Sequence, residues 1–242
     1  MTDLFESDSK VPKDEISQTN TPLAEKLRPK SLNEVVGQDR ILAADGQLTL
    51  MVKSGQLASI IFWGPPGVGK TTIARAIANE VSAHYEEISA IFSGVSDLKK
   101  LLNAASVRYS NGARTILFVD EIHRFNKSQQ DSFLPYMENG SIILMGATTE
   151  NPSFELNSAL LSRSQVLILE RLNAEDLLKI FNRAIGSMTN VPVFSEAAIS
   201  LVIDMSDGDA RSLLNYIEQV GSWESNNTVT EQDLKTRLSR RI

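Results

Sequence analysis

Continuous apolar runs alternate with segments of helical periodicity along the central part of the chain. The runs Ala58–Trp63 and Thr115–Val119 are continuous, as expected of strands that are covered on both faces. Residues 71–81 and 95–110 instead repeat apolar positions every three or four residues, the period of a helix packed on one side. Further strands are predicted over residues 84–89, 141–146 and 165–170, and further helices over residues 127–138 and 157–162. This alternation predicts an α/β fold, a mainly parallel sheet with helices on both faces.

The pattern changes after Arg171, where the strands stop. Four helical segments follow, over residues 174–187, 195–205, 209–223 and 230–240. We therefore predict a nucleotide-binding α/β domain over residues 21–170 and a small all-helical lid domain over residues 171–242. Residues 1–20 are polar and aperiodic and predict a flexible tail. The stretch Pro22–Pro29 has two prolines and three charges, which predicts an ordered loop rather than a helix.

A phosphate-binding loop lies between the first predicted strand and the first long helix. The residues Gly64-Pro65-Pro66-Gly67-Val68-Gly69-Lys70-Thr71 fit G-x-x-x-x-G-K-[ST] in the strand–loop–helix context that the motif requires. Glycines let backbone N–H groups curl around phosphate oxygens, and the helix N-terminus adds partial positive charge. Lys70 can reach the β- and γ-phosphates of ATP, and Thr71 can place its hydroxyl on Mg²⁺. Thr72 completes the predicted nucleotide contacts. The alternative is a loop that binds nucleotide without hydrolysis.

An acidic pair follows the second apolar run. Asp120 and Glu121 come directly after Val119, at the carboxyl end of a predicted buried strand. Ligands of parallel sheets bind outside this end of the strands. We predict that Asp120 holds Mg²⁺ and that Glu121 orients the attacking water as general base. The alternative is a solvated strand end.

Three further polar positions are candidates for contacts with the γ-phosphate. Thr148 follows the strand that ends near Gly146 and is the preferred sensor, with Thr149 as the alternative. Arg163 ends a short helix and is a candidate arginine finger, or simply a cation near a helix C-terminus. Arg211 lies in the first turn of a helix, where the dipole does not favour a cation, which suggests a phosphate partner. The alternative for Arg211 is a surface arginine.

Composition narrows the class without identifying a substrate. The 242 residues carry a net charge of −6 and 42% hydrophobic residues, enough for a substantial core. There is no cysteine, which excludes disulfides and cysteine-ligated metal sites and fits a cytoplasmic protein. The N-terminus has no secretory pattern, and no apolar run approaches the roughly 20 residues that span a bilayer.

The ordered set of phosphate loop, acidic strand, threonine sensor, Ser-Arg and Gly-Asp-Ala-Arg resembles the AAA+ ATPases. More narrowly, the chain resembles the RarA/MgsA family, which includes the Werner helicase-interacting protein, over roughly residues 21–240. Four stretches carry the resemblance: Pro22-Leu23-Ala24 with Leu27-Arg28-Pro29, the run Asp120–Asp131, the run Gly146–Phe154, and Asn157–Arg163.

The resemblance implies roles for individual residues and for the whole domain. Arg163 would act on ATP held by a neighbouring subunit, and Arg211 would be the second sensor of the lid. The resemblance also implies a DNA-dependent ATPase at stalled forks and gaps, close to the nucleoid, with single-strand-binding protein and the replication machinery as associates. It places a further set of residues around the adenine: Arg28, Pro29, Val36, Gly37 and Gln38.

Other functions and partners stay open at this point. A clamp-loader-like, nucleotide-gated assembly factor and a branch-migration or helicase motor are the two alternatives. Thr2-Asp3-Leu4-Phe5 loosely resembles a peptide that binds a sliding clamp. Members of the family continue past this length with a C-terminal region that forms tetramers, so either the chain is a fragment or the protein is short.

Overall fold

A single parallel sheet organises the first part of the molecule. The computed structural model describes residues 21–188, 192–223 and 228–238. All pairings between the five strands of the sheet are parallel, and their spatial order is β2-β3-β4-β1-β5. The strands are β1 Ser59–Trp63, β2 His84–Ser89, β3 Thr115–Asp120, β4 Ile142–Thr148 and β5 Ser164–Ile168. This architecture confirms the predicted α/β fold.

The central strands are buried because helices cover both faces of the sheet. Every residue of β4 is buried, and so are the first five residues of β3. Phe62 and Phe118 face one apolar core, and Leu117 and Leu144 face the other. Continuous burial explains why these strands are apolar runs in the sequence rather than alternating patterns.

Nine helices of the described chain accompany the sheet, and a 3₁₀ turn at Ile122–Arg124 follows β3. The two long ones are α4 Lys70–Glu80, which follows β1, and α5 Val95–Ser110, which precedes β3. The shorter ones are α1 Leu23–Lys26, α2 Asp39–Leu42, α3 Gln47–Ser54, α6 Lys127–Asp131, α7 Leu134–Glu138, α8 Pro152–Glu155 and α9 Ser158–Leu161.

The last part of the described chain is helical and has a core of its own. It contains α10 Ala174–Ser187, α11 Glu196–Ser206, α12 Ala210–Gly221 and α13 Glu231–Leu238. The core includes Leu177, Phe181, Leu213 and Ile217, and Leu23 of α1 joins it. The helices agree with the periodicity of the sequence, while the domain limits at residues 20, 170 and 242 stay a prediction.

Two local predictions were wrong, and each has a physical reason. Residues 23–26 form one helical turn rather than a loop, because the N–H of Leu23 donates to Glu218 of α12 at 3.0 Å and tertiary packing buries Leu23. The helix predicted over residues 127–138 is divided into α6 and α7. Pro135 has no N–H, and its ring would clash with the carbonyl of Asp131 in a continuous helix.

Within residues 21–188, 192–223 and 228–238, no helix combines the length and apolar character needed to cross a membrane. The predicted flexible tail over residues 1–20, with its Thr2–Phe5 peptide, lies outside the described residues.

Candidate nucleotide-binding site

The phosphate loop connects the carboxyl end of β1 to the first turn of α4. Gly67 and Gly69 have φ angles of +69° and +102°, a backbone region that side chains with a Cβ disfavour. These two turns let the loop curl so that α4 begins at Lys70, directly at the rim of a pocket. Seven consecutive loop and helix residues line that pocket: Pro66, Gly67, Val68, Gly69, Lys70, Thr71 and Thr72. Gly64 and Pro65 are not among the lining residues.

Lys70 is buried, with 8% of its surface exposed, although it carries a charge. Its Nζ donates to the carbonyl oxygens of Gly64 and Pro65, both at 2.7 Å. An ammonium has three donors, so one remains for another acceptor. Burial lowers the pKa of Lys70, and the carboxylates of Glu121 and Asp120 partly oppose that shift. A phosphate beside Lys70 would oppose it in the same way, because a negative charge stabilises the ammonium.

Asp120 and Glu121 reach the same pocket from β3. Asp120 is the last residue of the strand, and both carboxylates line the pocket beside the phosphate loop. Glu121 has φ 51° and ψ 47°, the left-handed conformation, which is uncommon for a residue with a side chain. Such strain persists only where the surrounding structure enforces it, and it concentrates at functional sites.

The donor set of the pocket suits Mg²⁺ bound together with a nucleotide. Thr71 and Asp120 supply one hydroxyl and one carboxylate among the lining residues. In the described part of the chain no cluster of three or more His, Cys, Asp or Glu side chains is placed to hold a metal ion. Mg²⁺ in nucleotide sites takes only one or two protein ligands, with phosphate oxygens and water completing its shell. The residues present therefore fit this ion.

Helix α12 closes the pocket from the helical part of the chain. Asp209 caps the helix by accepting from the N–H groups of Arg211 and Ser212, at 2.7 and 3.0 Å. The N–H of Ala210 donates to the carbonyl of Gly67 at 3.2 Å. This contact brings Arg211 into the pocket lining. No ion pair involves its guanidinium within the described residues.

Residues 28–38, which precede the first strand, include some residues that line the pocket and some that do not. Arg28, Pro29 and Val36 line it. Gly37 and Gln38 lie outside the lining. The side-chain amide of Gln38 instead donates to the carbonyl of Glu170 at 2.7 Å and accepts from its N–H at 3.0 Å. Gln38 therefore joins this segment to the chain at the end of β5, just before the helical part begins.

Neither candidate threonine lines the pocket. Thr148 ends β4 and is fully buried, whereas Thr149 is exposed. The Oγ1 of Thr148 lies 2.9 Å from Nδ1 of His123 and accepts from the N–H of Glu150 at 3.0 Å. Thr148 is therefore in contact with a neighbour of Glu121, and its role as sensor stays a prediction.

Arg163 lies at the opposite edge of the sheet. It directly precedes β5, whereas the phosphate loop follows the carboxyl end of the parallel neighbour β1. A five-residue strand is about 16 Å long, and this length separates the two edges. Its guanidinium pairs with Glu138, with Nη2 at 2.7 Å and Nε at 2.9 Å from the same oxygen, and donates to the carbonyl of Ala159. A role on the nucleotide of its own chain is incompatible with this position.

Several lining residues were not predicted from the sequence. Arg183 of α10 lines the pocket and donates to the carbonyl of Glu34 at 2.9 Å. An apolar wall comes from both ends of the described chain: Ala24, Leu27, Val35, Leu172, Ile180 and Leu214. Helical periodicity separates the apolar face from the polar face, but it does not tell which apolar residues face a core and which face a cavity.

Comparisons with known proteins agree with this geometry. Residues 60–172 match the profile of the ATPase family associated with various cellular activities (AAA). The fold is similar to that of a mutant of Thermotoga maritima RuvB, with a TM-score of 0.72 and 27% identity, covering 88% of this chain and 73% of that one. A structure of the same organism's RuvB Holliday junction branch migration motor matches with a TM-score of 0.67 and 29% identity, covering 88% of this chain and 67% of that one. Fold and site together define an AAA+ nucleotide-binding protein.

More specific relatives narrow the family. The chain is 43% identical over 230 residues to replication-associated recombination protein A of Escherichia coli K12, covering 91% of this chain and 52% of that protein. It is 43% identical over 201 residues to ATPase WRNIP1 of Dictyostelium discoideum, covering 81% of this chain and 23% of that protein. The chain belongs to the family of replication-associated recombination protein A, the family that the motifs of its sequence resemble. It spans about half the length of the Escherichia coli relative.

Proposed function

We propose that this chain is the ATP-hydrolysing AAA+ domain of a DNA-dependent ATPase that acts in replication-fork maintenance, recombination and repair. One observation carries the proposal. The phosphate loop, the acidic pair of β3 and Arg211 of α12 meet in a single pocket, although they lie far apart in the sequence. The names of the relatives, which refer to replication-associated recombination, support the biological setting.

The proposed mechanism assigns each group of residues one task. Backbone N–H groups of the loop and the remaining donor of Lys70 bind the phosphates of ATP. Thr71 and Asp120 would hold Mg²⁺, which neutralises charge on the phosphate oxygens when it is bound. Glu121 orients and polarises the attacking water. Thr148, or Thr149 in its place, senses the γ-phosphate.

Two arginines act from different subunits in this proposal. Arg211 stabilises the phosphates from the lid of the same chain, because α12 brings it to the pocket. Arg163 acts on the nucleotide of a neighbouring copy, because it lies at the far edge of its own sheet. A homo-oligomer follows as part of the proposal. Hydrolysis then changes the angle between sheet and lid, which moves DNA or a protein partner such as single-strand-binding protein.

The apolar wall supports a base-binding role for this part of the pocket. Leu27, Ile180 and Leu214 contribute nonpolar side chains to the lining, which also includes Arg28 and Pro29. The guanidinium of Arg28 donates to the carboxylate of Glu25. Arg75 of α4 also donates to that carboxylate, at 3.0 Å, so Glu25 links Arg28 to α4. An adenine against this wall would place the triphosphate along the loop toward Glu121.

An ATPase assay on three proteins tests the proposal. We expect Lys70→Ala to lose nucleotide affinity, and Glu121→Gln to keep affinity but lose about 10²-fold or more in turnover. Single-stranded ends and gaps should raise the turnover of the unaltered chain. Near-normal turnover in both variants would end the proposal. Turnover that is present but flat with DNA would favour a nucleotide-gated assembly factor.

A motor that moves along DNA is the second candidate. The similarity to the RuvB branch migration motor over 88% of this chain favours it. Strand displacement on forked DNA in the presence of ATP separates the two candidates. Displacement would establish a motor, while DNA-stimulated turnover without displacement would support the first proposal.

A further inference from the structure

The chain has two histidines, and only one of them is buried beside the candidate site. His123 follows Glu121 by two residues, in the 3₁₀ turn Ile122–Arg124, and 6% of its side chain is exposed. Its Nδ1 lies 3.3 Å from Oε2 of Glu121 and 2.9 Å from Oγ1 of Thr148. By contrast, His84 on the edge strand β2 has 45% of its side chain exposed and contacts Glu86. A buried imidazole thus connects the proposed base to the proposed sensor.

The two neighbours of Nδ1 compete for it. A ring nitrogen either carries a hydrogen and donates, or lacks one and accepts. Without the hydrogen, Nδ1 accepts from the hydroxyl of Thr148 and forms no hydrogen bond with the carboxylate of Glu121. With the hydrogen, it donates to one of the two oxygens in its reach. Glu121 therefore gains its hydrogen bond when Thr148 does not engage this nitrogen.

The other contacts of Glu121 and Thr148 determine how much each of them depends on Nδ1 of His123. Within the described residues, His123 is the only hydrogen-bond or ion-pair partner of the Glu121 carboxylate. Thr148 has an alternative acceptor for its hydroxyl hydrogen, the carbonyl of Glu150 at 3.3 Å. The threonine can leave Nδ1 at small cost, whereas the described part of the chain offers the carboxylate no second hydrogen-bond or ion-pair partner. The backbone of Glu121 is in the left-handed conformation, which is strained for a residue with a side chain. The position of its carboxylate therefore depends on the contacts around it, and the contact with His123 is one of them.

We propose that His123 is a positioning residue that couples Thr148 to Glu121, so that the base is aligned only when the sensor threonine has turned to the nucleotide. This inference rests on the proposed ATPase function. In the coupled state the Thr148 hydroxyl points to the γ-phosphate and its water, and the Nδ1–H of His123 donates to Glu121. In the uncoupled state the threonine occupies Nδ1, and the carboxylate lacks its hydrogen bond. The carboxylate itself, rather than the imidazole, contacts the attacking water.

The first test replaces the imidazole and measures turnover and affinity separately. We expect His123→Ala to lower kcat about 10- to 100-fold, since a misplacement of about 1 Å at a reacting group costs about 100-fold. Affinity for a fluorescent ATP analogue should stay within about twofold, because His123 does not line the pocket. The matched control is His84→Ala, the other histidine, which should leave kcat unchanged. Equal losses of affinity and turnover would overturn the coupling.

Conservative variants separate positioning from packing. The amide nitrogen of Asn occupies about the place of Nδ1, whereas that of Gln lies nearer the place of Nε2. We expect His123→Asn to recover most of the kcat lost in His123→Ala, and His123→Gln to recover little. The comparison holds even if the alanine variant unfolds. Equal recovery by both, or by neither, would indicate that the imidazole serves only to fill space.

A double variant tests the coupling itself. Thr148→Val removes the hydroxyl at nearly constant volume and leaves Nδ1 free to donate to Glu121, so its loss in kcat should be smaller in the unaltered chain than in the His123→Ala background. Two losses that simply multiply would contradict a shared nitrogen. The outcomes also separate the two proposals. No turnover in the unaltered chain refutes the ATPase function, whereas normal turnover in His123→Ala with loss in Glu121→Gln refutes only the coupling.

Discussion

Arg211 and Arg163 lie at opposite edges of the sheet and have different surroundings. At the carboxyl edge, Arg211 lines the pocket from α12 and forms no ion pair with the described residues. At the amino edge, Arg163 pairs with Glu138 and donates to two neighbouring oxygens, and 41% of its side chain is exposed. Arg211 thus lines the candidate site of its own chain, whereas Arg163 lies in an ion pair at the surface. The proposed function accounts for this difference by combining, in one complete site, the carboxyl edge of one subunit with the amino edge of another.

The largest expected effect is on ATP turnover, and it follows from the proposed contribution of Arg163 to the site of a neighbouring subunit. Arg163→Ala should lower turnover by about 10³-fold or more, the usual contribution of an arginine that stabilises transferring phosphate charge. Mixing it with Glu121→Gln should restore part of the activity, because some interfaces then combine an intact Arg163 with an intact Glu121. The measurement is ATP turnover against mixing ratio.

Arg114 supplies the matched control, since it is exposed and lines the same surface cavity as Arg163. Arg114→Ala should leave turnover unchanged. If the mixture of Arg163→Ala and Glu121→Gln were no more active than its components, the separation of the two edges between subunits would be wrong.

The corresponding change at the carboxyl edge should act within one chain. Arg211→Ala removes a charge-assisted contact worth about 1.5–3 kcal/mol, which corresponds to a roughly 10- to 100-fold weaker Kd for ATP. Isothermal titration of the variant measures this loss. Arg237, which lies over the ring of Trp223 at 4.7 Å and outside the pocket, is the control. Affinity unchanged in Arg211→Ala would place this arginine outside the nucleotide site.

The contact between loop and lid is expected to have a smaller effect. A Cβ at Gly67 would fall 1.8 Å from Oδ1 of Asp209, and the φ of +69° disfavours alanine in addition. Gly112 has φ +84° with nothing near a new Cβ, so Gly112→Ala measures backbone strain alone, about 1–2 kcal/mol. Gly67→Ala should lower the free energy of unfolding by more than that in urea. Equal losses would show that the loop does not depend on Asp209.

The smallest expected effect on the free energy of unfolding concerns the contact of Gln38 with Glu170, just before the helical part of the chain. Gln38→Ala removes two hydrogen bonds to the backbone of Glu170, and we expect a loss of about 1–2 kcal/mol in unfolding free energy. Gln47→Ala is the control, because Gln47 is exposed and its side chain donates to the side chain of Gln165, at 2.7 Å, rather than to the backbone. A loss no larger than that of the control would mean that the contact of Gln38 with Glu170 does not stabilise the fold.

Elements with a strong local signal were predicted within one or two residues. The strand predicted from Thr115 to Val119 extends by one residue to Asp120, and the helix over residues 95–110 has the predicted limits. Short elements were harder, because single turns depend on distant contacts. In the turn at Leu23–Lys26 the N–H of Leu23 donates to Glu218, and no local pattern reveals a partner 195 residues away.

The amino-acid sequence by itself determined the phosphate loop and the acidic pair, since each is built from consecutive residues after a buried strand. Their chemistry needs only local backbone geometry, which spacing and glycine content specify. Only the tertiary structure decided which distant groups join them. Packing of α12 on the loop brings in Arg211, sheet topology sends Arg163 to the other edge, and the pairing of β3 with β4 leaves His123 between Glu121 and Thr148. Such contacts depend on the closure of long chain segments, which no short pattern encodes.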